Sequence, residues 1–192
     1  MKTWTDVEGW CDFPEVYAAE AARLPPNAVA VEVGSWLGRS TALFASLLRD
    51  GGRTDVTFYS VDWGLGNTDK AADVCQPALT AGGRSVAGQL AANLHACGVA
   101  DYVYQLVATS THAARLFADA SVDFAFIDAN HTYESALEDI KAWWPKIKPG
   151  GAMAGHDYDC HWPDVVRAVE EFFGRPCPHP ARATCWGVVK PT

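Results

Sequence analysis

Basic residues are scarce in this chain of 192: 15 lysines and arginines stand against 23 acids, for a net charge of -8. A protein of that sign lacks the positive field that nonspecific contact with a phosphate backbone needs, so nucleic acid is not expected as a partner. Long apolar runs are missing as well. No stretch reaches the about 18 uninterrupted apolar residues of a membrane span, and MKTWTDVEGWCDFPEVY at the start has no continuous apolar segment of the secretory kind. The expectation is a cytoplasmic protein without a membrane partner. The six cysteines, Cys11, Cys75, Cys97, Cys160, Cys177 and Cys185, include no CxxC pair. A domain of this size does not need disulfides to hold its core, so reduced thiols are expected. Internal repeats and low-complexity tracts are also absent, and proline and glycine are scattered rather than gathered into a linker. That argues for a single domain over 1–192, with residues 1–27 as an N-terminal extension.

What is present is an alternation of strand and helix patterns. AVAVEV (28–33) is a short valine-rich run, followed by a glycine turn and then by LGRSTALFASLLRD, whose apolar spacing is helical. TDVTFYSVDW (54–63) reads as a second strand ending at Asp62. The glycine-containing connection over 64–83 is longer than structural economy needs and is a candidate lid or acceptor-binding loop. A helix over 84–97, stopped by Gly98, precedes a third strand, YVYQLVA (102–108), and a short helix in HAARLFAD. VDFAFID (122–128) is apolar on both faces, the pattern of a strand covered by helices on two sides. TYESALEDIKAWWPKI is helical, with Trp143 and Trp144 continuing its packing stripe. KPGG then turns into GAMAGHD, a fifth strand, before the amphipathic helix DVVRAVEEFFG and a last strand in TCWGVVK.

This order predicts an open, mostly parallel α/β sheet wrapped by helices, whose ligands sit beyond the carboxyl ends of the strands near the point where strand order reverses. Four polar groups fall there: Glu32 with the glycine turn, Asp62, Asp128, and His156 with Asp157. In VEVGSWLGRST the glycines are spaced GxxxG. The tighter GxGxxG loop of a dinucleotide site is absent, and so is the GK[ST] of a phosphate-binding loop. Asp62 stands where an acid can accept hydrogen bonds from a ribose diol, and the combination favours a nucleoside ligand. Trp36, inside the turn, is a candidate wall for the cofactor or acceptor pocket.

Asp128 and Asp157 end the fourth and fifth strands. If these strands are neighbours, two carboxylates stand together, and either one of them holds a proton or a cation sits between them. His131 and His156 are close enough in sequence to complete a metal site. Cys160, His161, Cys177 and His179 match no compact zinc spacing.

VEVGSWLGRST, SVD (60–62) and VDFAFIDANHTYESALEDIKAWWPKIKPGGAMAGHDYD together resemble the class I S-adenosylmethionine-dependent methyltransferases, in particular the small branch of macrolide-sugar O-methyltransferases and cephalosporin-hydroxylase-like proteins. The resemblance spans roughly residues 28–190 and is strongest over 122–159. It implies a Rossmann-like, mostly parallel seven-stranded sheet with helices on both faces and S-adenosylmethionine as methyl donor. By this resemblance Glu32, Gly34, Ser35, Gly38 and Ser40 surround the methionine part of the donor, Asp62 holds the ribose and Trp63 packs on the adenine. Ser110 and Asp128 complete the donor contacts, and Ala108, Thr109 and Ser110 stand where the family's usual third-strand acid would be. It further implies a divalent ion, magnesium or manganese, at Asp128, His156 and Asp157. The catalytic candidates are Asp128, His131 and His156: a metal-bound hydroxyl loses its proton more easily, or His131 removes the proton directly. The expected partner is a small hydroxylated acceptor such as a sugar or polyol, and a homo-oligomer is compatible with the pattern. Two other readings compete: a non-haem iron oxygenase built on a His131, His156 and aspartate triad, and a nucleoside-binding protein without catalysis.

Overall fold

The protein is described by a computed structural model over residues 1–67 and 72–192. Its centre is β4 (Val122–Ile127), in which every residue is buried. Alternation divides that strand between two cores. Phe124 and Phe126 point to one face, where they meet Tyr17, Phe44 and Phe58, while Ala125 and Ile127 point to the other, with Ile140, Trp143 and Val169. A strand covered on both sides favours apolar residues on both faces, as the VDFAFI run predicts; the one acid, Asp123, accepts from the Val29 amide and from Lys148.

β1 (Val29–Val33), β2 (Thr57–Asp62), β3 (Tyr104–Val107) and β5 (Ile147–Gly155) join β4 in parallel, while β7 (Arg182–Val189) and the two-residue β6 (Pro178–His179) close the sheet antiparallel. The order is β3-β2-β1-β4-β5-β7-β6, so the chain reverses its direction of growth between β1 and β4. Register aligns the ends: Val33 pairs with both Val61 and Ile127, and Ile127 pairs with Gly155. The residues that follow, Gly34, Asp62, Asp128 and His156, therefore leave the sheet in one row along its crest.

One face carries α1 (Pro14–Arg23), α2 (Arg39–Asp50) and α4 (Ala87–Ala96); the other carries α5 (Ser110–Ala114), α6 (Tyr133–Trp143) and α7 (Pro163–Phe173). α4 ends where expected, with Gly98 in the left-handed region at φ 66°. Trp143 is fully buried, and Trp144 packs edge-on against Phe173, so both serve packing.

The structure differs from the sequence expectation in three places. The extension holds α1, which begins on a proline suited to a first helical position and buries Val16, Tyr17 and Glu20. The 64–83 connection contains α3 (Ala72–Ala81), in spite of Pro77 within it; residues 68–71 of the expected lid lie outside the described residues. β6 is too short to leave a pattern in sequence. All six cysteines are free, and among the described residues no helix is long and apolar enough to cross a membrane.

Candidate active site

The turn after β1 is shaped by a close approach. Gly34 has φ 93°, and a Cβ there would lie 1.9 Å from the Asp128 carbonyl oxygen, so only glycine lets β1 and β4 end side by side. Gly38, at φ 89°, caps α2 in the left-handed region. Between them the backbone is held by Asp62. Its Oδ2 accepts from the Ser35 and Trp36 amides at 3.0 and 2.8 Å, and its Oδ1 accepts from the Gly64 amide at 2.6 Å. Burial raises the Asp62 carboxyl above its ordinary value, and the three amides oppose that rise. Trp36 sits at φ 48° within this turn.

Above the turn opens a cavity of about 700 Å³. Gly34, Ser35, Ser40, Asp62, Trp63 and Ser110 line it, as do Asp128, His131, His156 and Asp157. Two expected donor residues do not. Glu32 is fully buried below the crest, accepting from the Tyr17 hydroxyl at 2.6 Å and from Thr41, and burial raises its carboxyl. Gly38 faces the Leu90 side chain instead. Glu32 thus anchors β1 to α1 and α2 from beneath the cavity floor. Trp36 is part of the wall, as the sequence suggested.

At the far end of the cavity, Ser110 Oγ accepts from the Trp143 indole at 2.9 Å and is hydrogen-bonded to Asp139. Asp139 is 6% exposed, and burial pushes its carboxyl up to about 6 against the opposing Ser110 hydroxyl. It is not among the candidates the sequence suggests. The signal was there: Asp139 lies three residues after Ala136 and four before Trp143, on the inward stripe of α6. Arg39, Trp10 and Gly9 also line the cavity without having been expected. Arg39 Nη1 donates to the Val7 and Gly9 carbonyls, both at 3.2 Å, which lays the N-terminal segment along one wall.

The acid and histidine cluster forms at the ends of β4 and β5. His131 Nε2 lies 2.8 Å from Asp157 Oδ2, and the His131 ring packs against Trp162 at a 30° tilt with centroids 3.9 Å apart. His156 Nδ1 lies 3.4 Å from Asp157 Oδ2 and 3.9 Å from Asp128 Oδ1. Asp157 itself adopts φ 59°, the left-handed region, which an aspartate tolerates better than most residues.

The environments push the two acids apart. Asp128 is driven up to about 7 by burial, with the His156 and His131 rings opposing and Asp157 and Glu32 adding to the rise. Asp157 is buried too, yet its bonds to His131 and His156 hold it well below the usual carboxylate range. For His156 burial acts downward, but Asp157, Asp128 and Asp12 outweigh it and push the imidazole up to about 9. The cluster therefore holds one firmly ionised carboxylate, one that keeps a proton easily, and a histidine cation between them.

Asp128, His131 and Asp157 can each bring one ligand atom within 4.8 Å of the others, spacing suited to one metal ion. His156 is not in that group. Its Nε2 is instead 2.7 Å from Asp12 Oδ1, although the carboxylate lies off the N–H axis and makes no aligned hydrogen bond. Of the remaining histidine and cysteine candidates, Cys160 and His161 meet each other and Asp159 in a second, more exposed convergent group, whereas His179 Nε2 meets Glu20 at 3.3 Å and Cys177 donates to the Arg175 carbonyl.

A family model described as "Methyltransferase domain" matches residues 31–158, which include the glycine turn, Asp62, and the Asp128, His131 and Asp157 group. The chain belongs to this methyltransferase family. Solved methyltransferases share its fold. The O-methyltransferase NovP is 18% identical with a TM-score of 0.67, the match covering 93% of this chain and 79% of NovP. The O-methyltransferase TomG of Streptomyces achromogenes, involved in tomaymycin synthesis and solved in complex with S-adenosylmethionine, is 17% identical with a TM-score of 0.65, over 96% of this methyltransferase and 82% of TomG. An S-adenosylmethionine-dependent O-methyltransferase of Thermotoga maritima is 14% identical with a TM-score of 0.62, over 96% and 68% of the two chains. The family and the seven-stranded Rossmann-like fold implied by the sequence resemblance are both borne out.

Proposed function

We propose that this methyltransferase moves the methyl group of S-adenosylmethionine to a hydroxyl of a small neutral acceptor such as a sugar or polyol, with His131 as general base. The observation that carries the reading is the His131–Asp157 pair, 2.8 Å apart in the wall of the same cavity as the Gly34 turn. O-methyltransferases among the structural neighbours, one of them holding S-adenosylmethionine, support the choice of donor and of oxygen as the methylated atom.

The donor supplies a methyl group activated by its sulfonium. Gly34, Ser35 and Ser40 shape the turn for its methionine part, and the first turn of α2 offers unpaired amides. Asp62 fixes that turn by holding two of its amides, with the Gly64 amide of its own loop as a third, and its place beside Trp63 suits the nucleoside. At the reacting end, Asp157 accepts from His131 Nε2 and so fixes the ring and its tautomer, which makes the other ring nitrogen the one that takes the hydroxyl proton. The oxygen forms its bond to carbon as the carbon–sulfur bond breaks, and the cavity walls hold the two in line. Glu8, Asp62, Asp128, Glu138, Asp139 and Asp157 outnumber Arg39 and His156 in the lining, a charge balance that favours a neutral acceptor over an anionic one.

A divalent ion fits the donor set of Asp128 and Asp157 with His131, since those atoms converge; bound there, it would lower the pKa of the acceptor hydroxyl. His156 would join as a ligand only by turning from Asp12. The test is calorimetric titration with S-adenosylhomocysteine, with NAD as control, in chelator and then in magnesium or manganese, followed by an acceptor panel. Micromolar binding of the nucleoside but not of NAD is expected. No binding under any condition would sink the donor assignment.

A further inference from the structure

Asp12 lies outside the matched family region, in the segment ahead of α1, yet its carboxylate covers the buried Nε2 of His156 at 2.7 Å. Its position is fixed from two sides. The next residue, Phe13, is fully buried against Phe126 and Tyr17, and its ring centroid is 4.8 Å from that of His156. On the outer side Arg182, from β7, reaches Asp12 Oδ2 at 2.6 Å. A half-exposed acid would otherwise spend its time in water; here a buried aromatic neighbour and a single contact from Arg182 Nη2 hold it against the Nε2 edge of the His156 ring.

With Nε2 turned to Asp12, His156 presents Nδ1 to the crest, 3.4 Å from Asp157 and 3.9 Å from Asp128. Asp157 Oδ2 is the atom shared by His156 and His131. A chain of contacts thus runs from Asp12 through His156 and Asp157 to His131. We infer that Asp12 is a positioning residue for methyl transfer: through His156 it sets the place of the Asp157 oxygen that orients His131. The inference rests on the reading of His131 as the base. It assigns the N-terminal segment a part in the reacting centre as well as in the cavity wall.

The test compares Asp12→Ala, Asp12→Asn and Asp12→Glu with the wild type, and includes Arg182→Gln, which removes the outer contact of the same carboxylate. Side-chain nitrogen NMR of histidine in the S-adenosylhomocysteine complex reads the ring directly, with His95 and His112 as internal standards of folding. Asp12→Ala is expected to shift the His156 ring nitrogens, to leave S-adenosylhomocysteine affinity within about twofold, and to lower kcat roughly 10-fold with KM for S-adenosylmethionine unchanged, as a misplaced catalytic group does. Glutamate should restore part of the loss and asparagine less of it, and Arg182→Gln, which removes one of the two holds on Asp12, should lower kcat by less than Asp12→Ala does. Unmoved His156 signals in a folded Asp12→Ala protein would overturn the inference whatever the activity. So would wild-type kcat in that variant on an acceptor the wild type methylates. A wild type that takes up no S-adenosylhomocysteine would instead count against the donor assignment, leaving the His156 signals to decide this one.

Discussion

The Asp128 carbonyl and the α-carbon of Gly34 are so close that a single added methyl group would lie 1.9 Å from that oxygen. The turn expected to hold the donor and the acid that heads the reacting cluster are thus in direct backbone contact across β1 and β4. Gly34→Ala must both open that contact and force an L-residue to φ 93°. Strain of this kind costs on the order of 1–3 kcal/mol before the steric overlap is counted. The variant is expected to unfold at clearly lower denaturant and to lose S-adenosylhomocysteine binding in calorimetry; near-wild-type values for both would contradict the geometry.

His131 should matter for rate and not for donor affinity. His131→Gln, which keeps a polar side chain, is expected to lower kcat by roughly 10²–10⁴, the range for loss of a general base. Titration with S-adenosylhomocysteine should stay within a few-fold of wild type. Full activity in this variant would move the proton to another group.

Asp128→Asn removes the acid that is driven up to about 7 in its buried setting. Donor binding is expected to survive while activity falls. If a divalent ion serves the reaction, chelation should depress wild-type activity, magnesium or manganese should restore it, and the variant should respond to neither. Unchanged activity in Asp128→Asn would remove this residue from the mechanism.

Asp62 holds three backbone amides that no neutral side chain can satisfy equally. Asp62→Ala leaves buried donors unpaired, at about 1–3 kcal/mol each in the absence of water. S-adenosylhomocysteine affinity should drop at least roughly 5-fold, as one such loss implies. An affinity equal to wild type would show that the turn keeps its shape unaided.

Asp139 allows a pH test apart from the metal question. Its carboxyl is raised from 3.8 to about 6, so between those values the folded chain holds a proton that the unfolded chain has released. Stability contributed by this group is therefore complete below pH 3.8 and is lost as pH climbs through 6. Asp139→Asn, which keeps an oxygen for Ser110, should gain on the order of 2–3 kcal/mol over wild type above pH 6, with the difference vanishing near pH 4. Thermal melts of both proteins across that range would read it; a constant gap would refute the assignment of cause.

The parallel core of the fold was legible because its strands announce themselves. VDFAFI has apolar residues on both faces, and VEVGSWLG ends a strand in glycines that the crest requires. Asp62, Asp128 and Asp157 were legible for the same reason, since Asp62 ends a strand, Asp128 directly follows one and Asp157 stands two residues past one. The role of Glu32 was not. A strand-end acid looks the same in sequence whether it faces the ligand or the floor, and only Tyr17 and Thr41, from two helices, show that it faces the floor. Asp12 was hidden because its partner is 144 residues away, and α1 because PEVYAAEAAR carries its buried residues in no long stripe.

The contact between Gly34 and Asp128 also decides where this protein can be redesigned. The crest has no spare volume, so diversifying it would trade away the fold before it altered selectivity. The rim is different: Trp10 and Val74 are 60% and 57% exposed and border the same cavity. A mutant library confined to those two positions would vary the doorway while leaving the machinery behind it intact.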